Sequence, residues 1–227
     1  FTGLCFALDL TAWHSAILII GAGMSTLIGN TQVFITAVVS HLVFKEKLTR
    51  RYLVAAPVAF LGLALLVGVF NEAVSFSPRY MTGVLLSIAT AAMYAFYMLG
   101  LKKATIHHSR PAPATIMVWI CISAAFFLLL GLLVGNDSFM PGNIESIFLM
   151  LILGVVGQAL AWWGIAWAMQ KIAIHHTALI LLLQPALSMV WGYLFFSEIL
   201  DKDQVVGAII TLTAIYAGSV NSPKRCQ

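Results

Sequence analysis

Charged residues are scarce in this sequence. Aspartate, glutamate, lysine and arginine make up 9% of the 227 residues, whereas apolar residue types make up 61%. Soluble domains contain about 25% charged residues, which keep their surfaces hydrated. The composition therefore excludes a soluble enzyme, a nucleic-acid-binding protein and a disordered chain, and it indicates a polytopic membrane protein.

Motifs for catalysis and metal binding are also absent. The three cysteines lie far apart, and the sequence contains no CxxC, HExxH, GxSxG or GxxxxGK[ST] motif. Neither histidine pair, 107–108 or 175–176, has a cysteine or acidic cluster beside it, so we interpret both pairs as solvated surface residues. We expect no enzymatic activity, no bound metal, no cofactor and no direct drive by ATP.

Long apolar runs are abundant instead. About 20 apolar residues in a helix can cross a hydrocarbon core of about 30 Å. The sequence contains eight such runs, at 1–19, 22–44, 52–70, 80–101, 114–134, 146–169, 175–197 and 204–220. They are continuous and do not alternate as the strands of membrane barrels do. The predicted fold class is all-α, a polytopic membrane helix bundle.

The distribution of lysine and arginine predicts the orientation. If the loops alternate between two sides, one side has only Arg79 and Lys202. The other side has the remaining basic residues, Lys45, Lys47, Arg50, Arg51, Lys102, Lys103, Arg110, Lys171, Lys224 and Arg225. Because positive residues collect on the cytoplasmic side, we predict a cell (inner) membrane protein with a cytoplasmic C-terminus.

The chain repeats itself at an offset of 152 residues. Fourteen of about 68 aligned positions are identical, including the rare polar pairs Gln32/Gln184 and Glu46/Glu198. The first three runs thus correspond to the last three, but they cross the membrane in opposite directions. An inverted repeat of this kind is typical of secondary transporters.

The repeat also predicts the domain organisation. Residues 76–227 form a complete second repeat of five helices, and residues 1–75 form the last three helices of the first. The expected parent is an inverted 5+5 bundle of roughly 300 residues. On this interpretation the chain is an N-terminally truncated fragment with about eight of ten helices.

Essentially the whole chain resembles a known family, and the clearest match lies in the second repeat. The segment HHTALILLLQPALSMVWGYLFFSEIL (175–200) with QVVGAIITLTAIYAGS (204–219) is similar to EamA-type proteins of the drug/metabolite transporter superfamily. Pro185, Glu198 and Gly207 fit the family pattern. The first-repeat copy (24–48) has Val33 where Pro185 would predict a proline, so a kink there needs another cause. We interpret Glu46 and Glu198 as structural marks of the family.

The resemblance implies a secondary transporter that moves a small metabolite or drug by alternating access. The alternative is a membrane helix scaffold or helper protein without transport activity. Expected partners are a small-molecule substrate and the lipid bilayer, without nucleic acid, and a homodimer is a further candidate assembly.

Candidate site residues are polar or aromatic side chains near the bilayer midplane, where transporter sites lie. They are Asp9, Asn30, Gln32, Tyr94, Gln158, Trp162, Trp163 and Gln184. Asp9 is the one acidic residue deep within a predicted span, at an insertion cost of about 3 kcal/mol. Either it binds a cationic substrate or a coupling proton, or it only positions helices through hydrogen bonds.

The other candidates also have two interpretations. The glutamines either line a cavity or form hydrogen bonds between helices. Trp162 and Trp163 either form an aromatic cavity wall or pack against neighbours. Pro185 forms either a hinge or a static kink.

Overall fold

The computed structural model describes residues 1–67, 77–105, 112–135, 143–196 and 201–219, and every regular element in these ranges is helical. The helices are α1 (Thr2–Ile20), α2 (Ala22–Gly29), α3 (Gln32–Phe44), α4 (Arg50–Val67), α5 (Pro78–Thr105), α6 (Pro113–Gly135), α7 (Ile144–Ile152), a π-helical segment (Leu153–Leu160), α8 (Ala161–Met169), α9 (Ile174–Leu181), α10 (Leu183–Phe196) and α11 (Lys202–Ser219). The all-α prediction is confirmed.

Six helical stretches within the described ranges are long and apolar enough to cross a membrane. They are Thr2–Ile20, Ala22–Phe44, Arg50–Val67, Pro78–Thr105, Pro113–Gly135 and Ile144–Met169. A seventh apolar helical stretch, Ile174–Leu187, is shorter. The described parts of all eight predicted runs coincide with helices, but three of the runs are interrupted or change their helical geometry along their length.

Two clusters of buried apolar side chains form the core. One joins α3, α4, α9 and α11 around residues such as Leu63 and Leu179. The other joins α1, α5, α6 and α8 around residues such as Tyr97 and Met169. Burial therefore links elements from both halves of the sequence.

Small residues allow α4 and α11 to pack closely. A Cβ atom added to Gly207 would lie 2.4 Å from the Leu66 backbone nitrogen. A Cβ atom added to Gly218 would lie 2.6 Å from the Ala55 Cβ atom. The 152-residue offset relates residue 66 to 218 and 55 to 207, so it exchanges these two contacts. The contacts agree with an approximate two-fold axis between α4 and α11.

The basic residues collect at one end of the bundle, which we call the basic end. It contains the α3–α4 connection, the end of α5 and the turn between α8 and α9, and its residues are Lys45, Lys47, Arg50, Arg51, Lys102, Lys103 and Lys171. Arg79 and Lys202 begin α5 and α11 at the opposite, far end. Arg110, Lys224 and Arg225 lie outside the described residues.

The α4–α11 contact predicts the effect of a single methyl group. We expect Gly207→Ala to destabilise the protein by about 1–3 kcal/mol, because the methyl group would overlap backbone atoms of α4. The matched control is Gly131→Ala in α6, where an added Cβ meets no atom within 4 Å. Thermal unfolding in detergent should separate the two variants, and equal midpoints would contradict the packing argument.

Candidate functional site

A cavity of about 270 Å³ lies near the middle of the bundle. Most of the sequence-predicted site residues line it, namely Asp9, Asn30, Gln32, Tyr94, Gln158, Trp162 and Gln184. Trp163 is 47% exposed and is not part of the wall. Trp13 and Thr26, which lie toward the far end, extend the wall in that direction.

Asp9 is the acidic group of the cavity. Its residue is only 5% exposed, and Thr90 of α5 donates a hydrogen bond of 3.5 Å to its backbone carbonyl. None of the described residues in the wall is lysine, arginine or histidine. A cationic group entering the cavity would therefore be the natural partner of an ionised Asp9 carboxylate.

Amide side chains provide neutral donors and acceptors around Asp9. Gln32 is 3% exposed, and its Oε1 atom accepts a hydrogen bond of 3.1 Å from the Thr36 hydroxyl. This bond fixes the orientation of the amide. Gln184, its counterpart at the 152-residue offset, lies in the same cavity wall. Two positions that the sequence offset relates thus contribute amides to one cavity.

The break between α2 and α3 has its origin in two side chains. The Asn30 amide donates to the Thr26 carbonyl over 2.8 Å, and the Thr31 hydroxyl donates to the Ile28 carbonyl over 2.7 Å. Such local side-chain bonds compete with the backbone bonds of a helix. They explain the interruption of the helix here, although position 33 has a valine and not a proline.

The corresponding break in the second repeat lies at Leu182, which is 152 residues after Asn30. Pro185 is the third residue of α10, so its missing N–H falls within the first helical turn, where no partner within that helix is needed. Pro185 therefore follows a helix interruption. Its role as a hinge stays a prediction.

The π-helical segment brings Gly157 and Gln158 into the cavity wall. Short π-helical turns are often found at functional sites. This element was not predicted, since the sequence pattern indicated one continuous span at 146–169.

Four aromatic rings pack together on the basic-end side of Asp9, and we call this cluster the aromatic floor (Phe6, Tyr94, Tyr97 and Trp162). The Phe6 and Tyr97 ring centres lie 4.8 Å apart, and those of Tyr97 and Trp162 lie 5.0 Å apart. Tyr97 is fully buried. The floor closes the cavity toward the basic end and offers aromatic faces to a bound molecule.

A polar cluster closes the basic end below the floor. The Glu46 carboxylate accepts a hydrogen bond of 3.2 Å from the Ile174 backbone N–H, and its Oε2 atom lies 2.9 Å from His175 Nδ1. The Lys102 ammonium group donates to the carbonyls of Met169 and Ile172. We call these contacts the basic-end latch, because they tie the ends of α3 and α5 to the α8–α9 turn.

The basic-end latch shows that the interpretation of one histidine pair was wrong. It also contains contacts that were not predicted from the sequence. His175 and His176 are 2% and 4% exposed, so the interpretation of this pair as solvated was wrong. They are buried because Glu46 and the Tyr52 ring pack against them. Residues 107 and 108 lie outside the described ranges. Within those ranges, no group of three or more potential metal ligands was found.

Comparisons with known proteins agree with this architecture. Residues 81–219 match the model of the EamA-like transporter family. A solved crystal structure with 16% sequence identity superposes with a TM-score of 0.76, covering 96% of this chain and 72% of its own chain. This similarity concerns the fold alone.

Curated relatives are bacterial export proteins by name. The chain is 27% identical over 203 residues to a "Probable amino-acid metabolite efflux pump" of Salmonella typhimurium, covering 86% of this chain and 66% of that protein. A protein of the same name from Escherichia coli is 23% identical over 205 residues, with the same coverage of both chains. The "Threonine/homoserine exporter RhtA" of Salmonella typhimurium is 29% identical over 142 residues, covering 63% of this chain and 45% of that protein.

The chain thus spans about two thirds of the length of the efflux pumps that it resembles. The family match covers more than half of its residues, and six described helices are suited to cross a membrane. The protein is therefore a multi-pass membrane protein and belongs to the EamA-like transporter family.

Proposed function

We propose that the protein is a secondary transporter that exports small amino-acid-type metabolites with a primary amine across the inner membrane. The observation that carries this proposal is a buried acidic residue in a cavity whose described wall has no basic residue. The basic end, with the C-terminus, faces the cytoplasm in this proposal, as the positive-inside rule predicts.

The cavity chemistry supports this substrate class. Asp9 can hold an ammonium group by a charge-assisted hydrogen bond. The amides of Asn30, Gln32 and Gln184 can donate to a carboxylate or hydroxyl group, as amino acids present. The aromatic floor limits how far the ligand can move toward the basic end. The names of the bacterial relatives support export and an amino-acid-type substrate.

A difference between the two ends of the cavity supports alternating access. The described structure closes the basic end by the aromatic floor and the latch, whereas the wall extends toward the far end through Trp13 and Thr26. To take up a cytoplasmic substrate, the protein must separate the α8–α9 turn from Glu46 and Lys102. Because these contacts join different elements, their loss is compatible with intact helices.

An uncovered helix surface in the second half of the chain supports the proposed 5+5 organisation. α1 is covered by α5 and α6, but the π-helical segment, which the 152-residue offset relates to residues 1–8, has no buried residue, and neither has α7 before it. Two further helices related to α5 and α6 by the repeat would cover this face. We propose that the intact transporter contains them.

Asp9→Asn tests the role of the carboxylate. The change keeps the size of the side chain but removes its charge, so binding of an amine-bearing ligand should weaken roughly 10- to 100-fold. Trp13 and Trp162 line the cavity, and their fluorescence can report binding of threonine or homoserine to the purified protein.

Asp203→Asn is the matched control, because Asp203 is an exposed residue at the start of α11. It should bind the ligands as the unchanged protein does. Equal affinities of Asp9→Asn and the unchanged protein would show that Asp9 only positions helices. Absence of binding to the unchanged protein would contradict the substrate class.

Glu46→Ala tests the latch. The change leaves the Ile174 amide and His175 without this acceptor, which should favour the state open at the basic end about tenfold or more. A cysteine at Ser40, a fully buried position near the latch, should then react faster with a charged thiol reagent. The matched control is Glu145→Ala at the far end, which should leave the rate unchanged. Equal rates in both variants would contradict the gating role.

A further inference from the structure

A second cavity, a groove of about 840 Å³, lies on the surface of the α4–α11 pair. It is at the basic end, where α4 begins and α11 ends. Its wall includes Val54 and Val58 of α4, Ile209 and Tyr216 of α11, and the two arginines Arg50 and Arg51. The groove is separate from the Asp9 cavity, since no residue lines both.

The groove is apolar along most of its length and has two arginines at one end. Arg50 and Val58 are eight residues apart on α4, which corresponds to about 12 Å along the helix axis. Val54 is 66% exposed and Ile209 is 59% exposed, so the groove surface is open and apolar. Neither arginine forms a salt bridge with another described residue.

The surroundings indicate that the groove faces lipid. α5 and α6 pack against α1, and α5 also packs against α2 and α3, without a comparable contact to α4 or α11. If two further helices follow the same repeat, they leave the α4–α11 pair uncovered as well. Tyr216 is 72% exposed in the last turn of α11, and aromatic residues near helix ends are typical of the membrane interface.

We propose that this groove binds one anionic phospholipid of the cytoplasmic leaflet. Its phosphate lies against Arg50 and Arg51, and an acyl chain follows Val54 and Val58 past Tyr216 into the membrane. Charge complementarity selects an anionic headgroup, since basic pockets at the cytoplasmic side attract such lipids. The bound lipid stabilises the α4–α11 pair, because a ligand of the folded state shifts the unfolding equilibrium.

The test compares lipid binding to the purified protein by native mass spectrometry and thermal unfolding. Phosphatidylglycerol should remain bound and raise the unfolding midpoint, whereas phosphatidylcholine with the same acyl chains should do neither. Arg50→Gln/Arg51→Gln should weaken phosphatidylglycerol binding about 30-fold, equivalent to about 1 kcal/mol for each basic residue.

Two further variants distinguish lipid binding in the groove from a general effect of the protein's net charge. Lys45→Gln/Lys47→Gln removes the same charge from exposed residues of the neighbouring connection and should keep the lipid bound. Val58→Trp fills the groove at a residue that is 39% exposed and should lose the lipid although both arginines remain. Circular dichroism of each variant verifies that the helices are intact.

Four results would overturn the proposal. Equal binding of phosphatidylglycerol and phosphatidylcholine would show that the groove does not select by charge. Equal losses of lipid binding in the arginine and the lysine double variants would show that only the net charge of the protein matters. Displacement of the lipid by glycerol 3-phosphate at equal concentration would show a phosphate site that does not use the groove. A dimer that dissociates in Arg50→Gln/Arg51→Gln would identify a second copy as the occupant instead. None of these measurements depends on ligand binding in the Asp9 cavity, so they stand apart from the test of Asp9.

Discussion

A polar group inside a bilayer has no water to bind, so it must find its partner within the protein or at a cavity. The described helices depart from regular α-helical geometry at Asn30–Thr31, at Leu182 and in the π-helical segment. Each departure lies in or beside the wall of the cavity that also contains Asp9. The same requirement therefore brings together the acidic residue, the amides and the interrupted helices.

The basic end satisfies this requirement with buried side chains. Glu46 binds a backbone amide at the start of α9, and Lys102 binds carbonyls at the end of α8 and in the following turn. These groups complete hydrogen bonds that helix ends leave open. In the open state that we propose, water replaces them. A closed and an open arrangement can thus both satisfy their polar groups, which is what a gate requires.

The sequence predicted the features that depend on local pattern. Run length placed the helices, and depth along the spans brought Asp9 and the glutamines to one level. Depth in the membrane could not predict which of Trp162 and Trp163 lines the cavity. The two residues lie at nearly the same depth, but the side chains of neighbouring residues in a helix point in directions about 100° apart. The partners of Glu46 lie 128 and 129 residues away, so their burial could not be inferred from local sequence. The interruption between α2 and α3 could have been predicted from Asn30 and Thr31, since the side chains of both residues can compete for backbone hydrogen bonds.

The central claim is that the Asp9 cavity, which extends toward the far end in the described structure, binds a ligand through its amine. Its most direct test is alkylation of a cysteine at Thr26, a cavity-wall position, in a variant without other cysteines. The claim predicts that a charged thiol reagent labels this cysteine and that homoserine slows the labelling, whereas N-acetylhomoserine, which lacks the cationic amine, does not. Equal protection by both compounds, or by neither, would contradict the claim.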